Sequence, residues 1–353
     1  MAYATINKPT DYFNTKLYTG TGGATSITGV GFQPDLVWIK KRSSTGNHNF
    51  TDAIRGVDKI VYSNSNNAES TFAGGLSSFD SDGFSLAGND TGFNASSVTY
   101  ASWNWLGANG TSSNTDGSIT STVSVNTTSG FSVVTYSGNN TNGATVGHGL
   151  GTTPAMSIIK CRTTSARDWI IKHKSFASGN NVMFLNGTGQ VAANGGGHQS
   201  HGASTVTMNT GTSSLVGINN SGDDYVMYCF AEIKGFSKAF SYNGNASTDG
   251  PFIYTGFKPA MVFIVATGSS GYQRFIWDNK RDTYNVAQNP LAAQDTGAEP
   301  ASASGYREID FLSNGIKIRA SLDQLNTNGA GYMGFAFAEA PLVGTNNIPA
   351  TAR

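Results

Sequence analysis

The sequence predicts an all-β protein made of three tandem β-sandwich, jelly-roll-like repeats of about 100 residues each. Three observations lead to this fold class. No stretch keeps the 3.6-residue apolar period of a helix together with its caps. Short apolar runs are separated by turns rich in glycine, asparagine and serine. Five anchor residues recur in the same order three times, which indicates one repeated unit.

Each repeat is expected to begin at a Tyr-x-Gly turn and to continue into an apolar strand opened by a proline. The turns start at Tyr18, Tyr136 and Tyr242, and the prolines are Pro34, Pro154 and Pro259. The segments after these prolines, "DLVWIKK", "AMSIIKC" and "AMVFIVA", are apolar on both faces. This pattern favours a central strand that is covered on both sides.

A closing strand ends each repeat. It carries a tyrosine that follows an asparagine by six residues, and these pairs are Asn94 and Tyr100, Asn219 and Tyr225, Asn326 and Tyr332. Aromatic residues follow three and five positions later, namely Trp103 and Trp105, Tyr228 and Phe230, Phe335 and Phe337. Since side chains alternate along a strand, these aromatics share one face and the tyrosine lies on the other. We expect Trp105, Phe230 and Phe337 to be buried in the cores of their own domains.

Tight turns and linkers divide the chain. Asp82-Gly83 and Asn314-Gly315 stand between alternating apolar residues and predict type I′ hairpins, whose central residues need positive φ. The predicted divisions are an N-terminal segment (1–16), a first repeat (17–107), a linker with an extra strand in "SITSTVSV" (108–130), a second repeat (131–235), a third repeat (236–341) and a C-terminal arm (342–353). The arm contains no apolar period, so it is expected to be extended and to pack on another polypeptide.

The composition argues against several classes of partner. The 22 basic and 22 acidic residues give a formal net charge of zero, and charged residues make up 12% of the chain, compared with about 25% in typical globular proteins. No basic patch is available to neutralise phosphates, so nucleic-acid binding is not expected. The start of the chain lacks the apolar region of a signal peptide, and no apolar run is long enough to insert into a membrane.

Two histidines and two cysteines are the candidate ligands. His198 and His201 lie three residues apart in the loop "GGGHQSHG" and are weak candidates for a shared metal. No Cys, Asp or Glu in that loop completes a tetrahedral set, so we expect no metal and no other cofactor. Cys161 and Cys229 are expected to be free, buried thiols.

The acidic residues do not suggest an enzyme, and no catalytic residue is predicted. Glycoside hydrolysis needs two carboxylates across a cleft, but the candidates are scattered: Asp80, Asp82, Asp223, Asp224, Glu232, Glu299, Glu308 and Glu339. The sequence contains no nucleophile elbow, phosphate loop or calcium loop. Asp52 with Arg55 and Asp278 with Arg281 favour ion pairs that fix a turn, worth about 0–1 kcal/mol if exposed. The second repeat has Ile171 and Lys174 near that place.

Glycan binding has weak support. The loops "SGNNTNG" and "INNSGDD" and the ring of Tyr272 would suit a lectin-like site. The same loop residues are also those that β-turns require.

Several segments resemble a known family. They are "NKPTDYFNTKLYTG", "GVGFQPDLVWIKKR", "FDSDGFSL", "YASWNW", "NTDGSITSTVSVNTTSGFSVVTYSG" and "VGHGLGTTPAMSIIK". They are similar to a repeated module of virion structural proteins of tailed, mostly marine, bacteriophages, which are described as tail-fibre, receptor-binding or other virion-surface proteins. The resemblance covers the chain from Asn7 to about Leu342. It implies a location on the particle and supplies no catalytic residue.

The expected function is therefore that of a non-enzymatic virion structural protein, a fibre, spike or head-decoration component that contacts the host. The alternatives are a lectin-like adhesin that binds host surface glycan and, more distantly, a polysaccharide depolymerase. The expected partners are other virion proteins and further copies of the chain, and the resemblance favours a homotrimer. Such a protein would be made in the host cytoplasm without a signal peptide and exposed on the released particle.

Overall fold

The structure is a computed structural model that describes residues 4–88, 90–176, 181–189, 191–193, 199–209, 217–268, 271–300, 307–321, 323–344 and 349–351. Its named strands pair in antiparallel sheets, so the all-β prediction is confirmed. Helix is scarce in the described residues: a single 3-10 turn, Pro9–Asp11, and the short helix α1, Asp323–Asn326.

The strands fall into three units along the chain. The first unit contains β1 (Phe13–Thr19), β2 (Thr25–Thr28), β3 (Leu36–Lys41), β4 (His48–Asp52), β5 (Lys59–Tyr62), β6 (Ser70–Thr71), β7 (Leu76–Asp80), β8 (Gly83–Leu86) and β9 (Thr99–Trp105). The second contains β10 (Ser112–Asn114), β11 (Ser121–Asn126), β12 (Phe131–Ser137), β13 (Ala144–Gly147), β14 (Met156–Cys161), β15 (Ile170–His173), β16 (Asn181–Phe184), β17 (Ala192–Ala193), β18 (Gln199–His201), β19 (Thr205–Met208) and β20 (Asp224–Phe230). The third contains β21 (Ser237–Asn243), β22 (Phe252–Tyr254), β23 (Phe257–Ala266), β24 (Arg274–Asp278), β25 (Leu291–Ala292), β26 (Ile309–Leu312), β27 (Gly315–Ile318) and β28 (Gly331–Pro341).

Each unit has one large sheet and one three-stranded sheet. The large sheets share the strand orders β1-β9-β3-β4, β12-β20-β14-β15 and β21-β28-β23-β24, with further strands at their edges. The small sheets have the orders β2-β8-β7, β13-β19-β18 and β22-β27-β26. The extra strand expected in "SITSTVSV" is β11, which pairs with β12 at the edge of the second large sheet.

The three prolines hold the same place in the sheet register. The residue two positions after each proline pairs with the last aromatic of the closing strand: Leu36 with Trp105, Met156 with Phe230, and Met261 with Phe337. In the third unit the strand begins before its proline, and the register shifts at Pro259. A shift there is expected because proline has no N–H to donate to the ladder.

In the first two units the two faces of the closing strand enter different apolar clusters, whereas Tyr332 and Phe337 of the third unit belong to the same cluster. Tyr100 lies in an apolar cluster between the two sheets of the first unit, with Ile39 and Phe84. Tyr225 lies in the corresponding cluster of the second unit. The opposite faces of all three large sheets contribute to one larger cluster, which we call the central core. The predicted alternation is therefore confirmed in the first two units.

Three aromatic residues meet in the central core. The rings of Trp105 and Phe230 lie 6.1 Å apart, those of Trp105 and Phe337 5.6 Å, and those of Phe230 and Phe337 5.8 Å. They are buried, as expected, but the expectation that each belongs to the core of its own domain is wrong. Strands that are apolar on both faces need a second apolar surface, and here the large sheets cover one another.

The repeated tyrosine, asparagine and glycine anchors form one hydrogen-bonded arrangement in every unit. In the second unit Tyr136 donates to the Ile218 carbonyl, and Asn219 Oδ1 accepts the N–H of Asn139. Equivalent bonds occur in the first and third units. The turn needs glycine because a Cβ at Gly138 would lie 2.2 Å from the Asn220 carbonyl oxygen. The anchors therefore fix each first strand to the loop before its closing strand.

The first strand of the chain packs against the third unit. Phe13 stacks on Phe337 of the third unit, with ring centroids 4.8 Å apart. The C-terminal arm was expected to be extended, but its described parts turn back on each other. Val343 forms a bridge with Pro349, and the N–H of Ala350 donates to the Leu342 carbonyl. The described parts of the arm therefore do not form one extended segment.

Candidate functional site

The interface between the first and second units is closed by a buried ionic network. Arg55 Nε lies 2.5 Å from Asp52 Oδ2, and both side chains are fully buried. The hydroxyl of Tyr228, in the second unit, donates to the same carboxylate at 2.8 Å. Arg55 also binds Glu69 at 2.9 Å. Glu69 in turn receives two bonds of 3.0 Å from Arg162 of the second unit.

The interface between the third and first units repeats this network. Arg281 Nε lies 2.6 Å from Asp278, and Trp103 Nε1, in the first unit, donates to Asp278 at 3.1 Å. Arg42 makes two bonds to Glu299, of 2.6 and 3.1 Å. The ion pairs predicted from the sequence are therefore present. They are buried, however, so they do not belong to the weak exposed class.

Two buried lysines belong to the same interfaces. Lys160 Nζ donates to the Asn66 carbonyl of the first unit at 3.1 Å, and Lys40 Nζ donates to the Thr296 carbonyl of the third at 3.2 Å. Burial lowers the pKa of each ammonium group to about 8. Both lysines hold a neighbouring unit through its backbone.

The interface between the second and third units has no such network among the described residues. His173 pairs with Met156 as Asp52 pairs with Leu36 and Asp278 with Met261, so it takes the place of the aspartates. By the same register, Phe176 is equivalent to Arg55 and Arg281. Val265 is equivalent to Lys40 and Lys160, and Thr267 is equivalent to Arg42 and Arg162. Val191 replaces the glutamates, since its N–H donates to the Thr267 carbonyl as those of Glu69 and Glu299 do to Arg162 and Arg42. The sequence comparison with Ile171 and Lys174 was therefore wrong by two residues.

His173 shows why the aspartate is absent here. Its Nδ1 accepts the N–H of Ser175 at 3.2 Å, which leaves Nε2 to donate to the Gly334 carbonyl at 3.2 Å. Burial lowers the pKa of His173 to about 4, so the ring is neutral. The third unit has Phe335 where the other two have Tyr228 or Trp103, and phenylalanine offers no donor to a carboxylate.

A cleft of about 570 Å³ opens at this interface. The described residues that line it are Ser175, Phe176, Asn181, Val191, Ser241, Tyr242, Asn243, Thr267, Gly331 and Tyr332. Three of them, Phe176, Val191 and Thr267, are the neutral replacements just described. We call this space the second–third cleft. It lies where bidentate arginine–glutamate pairs close the other two interfaces.

The lining of the second–third cleft is polar but uncharged. It offers the hydroxyl groups of serine and threonine, two asparagine amides and the Phe176 ring. The two tyrosine hydroxyls are used in the anchor arrangement, since Tyr242 donates to the Leu325 carbonyl and Tyr332 accepts the N–H of Thr327. Lys172 lies beside the cleft, with its Nζ 5.7 Å from the centre of the Phe176 ring. This chemistry suits a neutral ligand with many hydroxyl groups, and among the lining residues no carboxylate or imidazole is placed for acid–base catalysis.

The structure describes one of the two weak metal candidates. His198 lies outside the described residues. His201 Nε2 lies 2.7 Å from Ser157 Oγ, and burial lowers the pKa of His201 to about 4. Within the described part of the chain, no group of three His, Cys, Asp or Glu could hold a metal ion. Cys161 and Cys229 are free and buried, as expected, and burial raises the pKa of Cys229 to about 12.

The candidate carboxylates bind structural partners. Asp80 binds Ser78 and Ser85, Asp82 accepts the N–H groups of Gly29 and Gly31, Asp223 binds Thr164, Asp224 binds Ser137, Glu232 binds Lys174, Glu299 binds Arg42, and Glu339 binds Asn279. Glu308 accepts the N–H of Arg319 through its backbone carbonyl. None of these carboxylates lines the second–third cleft.

Some of the glycan candidates chosen from the sequence have structural contacts. Asn139 and Asn219, from the two asparagine-rich loops, bind each other in the anchor arrangement of the second unit. Tyr272 is half-buried and packs against the central core. The residues of the second–third cleft were missed. Their signal is the neutral "VAT" of 265–267, aligned with "KKR" of 40–42 and "KCR" of 160–162.

Comparison with known proteins identifies the family but no close relative. No curated protein and no solved structure matches the chain. None of the described helices is both long and apolar enough to span a membrane. One family model matches residues 8–341, from the 3-10 turn to the end of β28. The chain therefore belongs to the family described as "Domain of unknown function (DUF7483)".

Proposed function

We propose that this chain is a non-enzymatic structural protein of a tailed-phage virion, exposed on the particle as part of a fibre, spike or head decoration. The observation that carries the proposal is the closure of three units around one central core. Aspartates in the first and third units bind the next unit in cyclic order, and His173 completes the circle. Such a body is rigid without depending on a disulfide, and its neutral composition suits an exposed particle protein.

Particle composition tests this proposal. Virions are purified on a density gradient from the host culture that produces the chain, and their proteins are identified by mass spectrometry. We expect the chain in the particle fraction, with gold-labelled antibody bound to the surface of intact virions. Its absence from purified particles would contradict the proposal.

We also propose that the three units are tandem copies of one β-sandwich module of the jelly-roll-like type. The shared strand order and the matching register of Pro34, Pro154 and Pro259 support this proposal. An experimental structure tests it by superposition of the three units. The copies should align with the three prolines at equivalent positions, and non-equivalent positions would overturn the proposal.

A second candidate function is a lectin-like adhesin that binds host glycan. The uncharged second–third cleft favours it, since the amides and hydroxyls there match the hydrogen-bonding groups of a sugar. The depolymerase remains a distant alternative. Incubation of the protein with host envelope polysaccharide should release no reducing sugar, and release above a boiled control would support the enzyme instead.

A further inference from the structure

We propose that the second–third cleft is a specific binding site for a neutral oligosaccharide. This inference rests on the lectin-like function and deepens it by naming the site and the ligand class. The interface between the second and third units differs from the other two interfaces. Two interfaces are filled by arginine, glutamate and lysine side chains, and the third has neutral residues at all of these positions.

The residues that differ from the other two interfaces lie mainly in the wall of the second–third cleft. Thr267 stands where Arg42 and Arg162 reach across to a glutamate, and Val191 stands where that glutamate would be. Replacing a partly buried bidentate ion pair with a shorter hydroxyl and an isopropyl group removes the atoms that fill the other two interfaces. The space that remains, about 570 Å³, falls within the usual range for ligand sites of about 300–1,000 Å³.

The chemistry of the wall selects the ligand class. Asn181 and Asn243 each offer an amide donor and acceptor, and Thr267 offers a hydroxyl group. The Phe176 ring supplies an apolar surface of the kind on which a sugar ring packs. None of the described lining residues carries a carboxylate or a guanidinium that could pair with an ionic ligand. A neutral sugar therefore binds without leaving an unpaired buried charge.

Closing the cleft tests the site directly. The double variant Thr267→Arg with Val191→Glu transplants the pair that closes the other two interfaces, and Asn243→Ala removes one amide while leaving the wall in place. The matched control is Thr19→Ala, because Thr19 follows its anchor tyrosine in the first unit as Asn243 does in the third, and it lies outside the cleft. Circular dichroism and thermal melting confirm that each variant is folded.

Binding is measured on an array of neutral and acidic bacterial glycans, followed by titration calorimetry with the neutral glycan bound best. We expect the full chain and Thr19→Ala to bind alike. Asn243→Ala should lose roughly tenfold in affinity, equivalent to about 1.4 kcal/mol, and the double variant should lose binding. Undiminished binding by Asn243→Ala and the double variant would place the sugar elsewhere and overturn this inference while preserving the lectin function. Binding of acidic glycans alone would overturn the ligand class, and no binding by the full chain would overturn the lectin function as well.

Discussion

The position held by Asp52, His173 and Asp278 shows how a side chain of each unit complements the neighbouring unit. Asp52 faces Tyr228 and Asp278 faces Trp103, and each aspartate accepts a hydrogen bond from that side chain. His173 holds the third such position and donates to a backbone carbonyl instead. The choice of acid or imidazole thus follows from whether the neighbouring closing strand offers a donor.

Substitution of His173 by Asp tests this matching. A carboxylate there would face the Gly334 carbonyl with no arginine at position 176 to pair with it. We expect His173→Asp to cost about 3–5 kcal/mol of unfolding free energy, as other uncompensated buried charges do. Adding Phe176→Arg should recover part of the loss. Urea unfolding of both variants measures the effect, with the neutral His173→Asn as control, and equal stability of the Asp and Asn variants would contradict the explanation.

Buried histidines should make the fold sensitive to acid. Burial lowers the pKa of His173 and His201 to about 4, compared with about 6.5 in the unfolded chain. Between these values the unfolded state binds more protons, so the unfolding free energy falls as pH decreases. We predict that stability is fully present above about pH 6.5 and declines toward pH 4. The difference between pH 7 and pH 5 should be smaller in His173→Asn than in the wild type, and an unchanged difference would contradict the assignment.

At the scale of the element, the anchor arrangement connects the first strand of a unit to the loop before its closing strand. Stacked tyrosines lie 4.9, 5.0 and 4.8 Å apart in the three units. The asparagine binds the turn after the first strand in each case. The sequence revealed these residues by recurrence, and the structure shows that their role is to position strands.

Asn219 provides the test of this arrangement. It is buried, it accepts the N–H of Asn139, and its Nδ2 donates to the Thr141 carbonyl. We predict that Asn219→Ala lowers the unfolding free energy by about 1–3 kcal/mol, because the partner groups lose their bonds. The exposed neighbour Ser221 is the control, and Ser221→Ala should change stability by no more than about 0.5 kcal/mol. Equal melting temperatures of the two variants would contradict the structural role of the anchor arrangement.

At the scale of the whole molecule, the central core makes the three units interdependent. Phe230 contacts both Trp105 and Phe337, which belong to the other two units. We predict that Phe230→Ala costs about 3–5 kcal/mol, the usual range for emptying a core aromatic site. Calorimetry should show one cooperative transition at a lower temperature. Separate melting of the second unit would show that the shared core does not couple the units.

The same architecture bears on assembly. The resemblance to phage virion proteins favours a homotrimer, and a single chain does not test that expectation. A trimer could cover the apolar faces of large sheets from different chains. In this protein the three large sheets already cover one another within one chain. We therefore predict a monomer in solution. Light scattering after size exclusion measures the mass, and a stable trimer would restore the original expectation.

The sequence predicted local features of the fold better than the site. The Asp-Gly and Asn-Gly pairs correctly located the β7–β8 and β26–β27 hairpins. The predicted type I′ turns were wrong, because Gly83 and Gly315 are paired strand residues and neither Asp82 nor Asn314 has a positive φ. The central strands at Leu36, Met156 and Met261 were found from short runs that follow a proline and are apolar on both faces. The second–third cleft was not found, since its walls come from residues as distant along the chain as Phe176 and Gly331.

By itself, the sequence determined that the chain is all-β, that its anchors recur three times, and which face of each closing strand carries the aromatics. Only the tertiary structure decided what those aromatic faces pack against. An apolar face needs a cover, but its pattern is the same whether the cover is its own small sheet or a neighbouring unit. Ionic pairing across units depends in the same way on which side chains meet in space. Asp52, His173 and Asp278 therefore hold equivalent register positions in the three units. The side chains of the neighbouring unit determine whether this position closes an interface or borders a cleft.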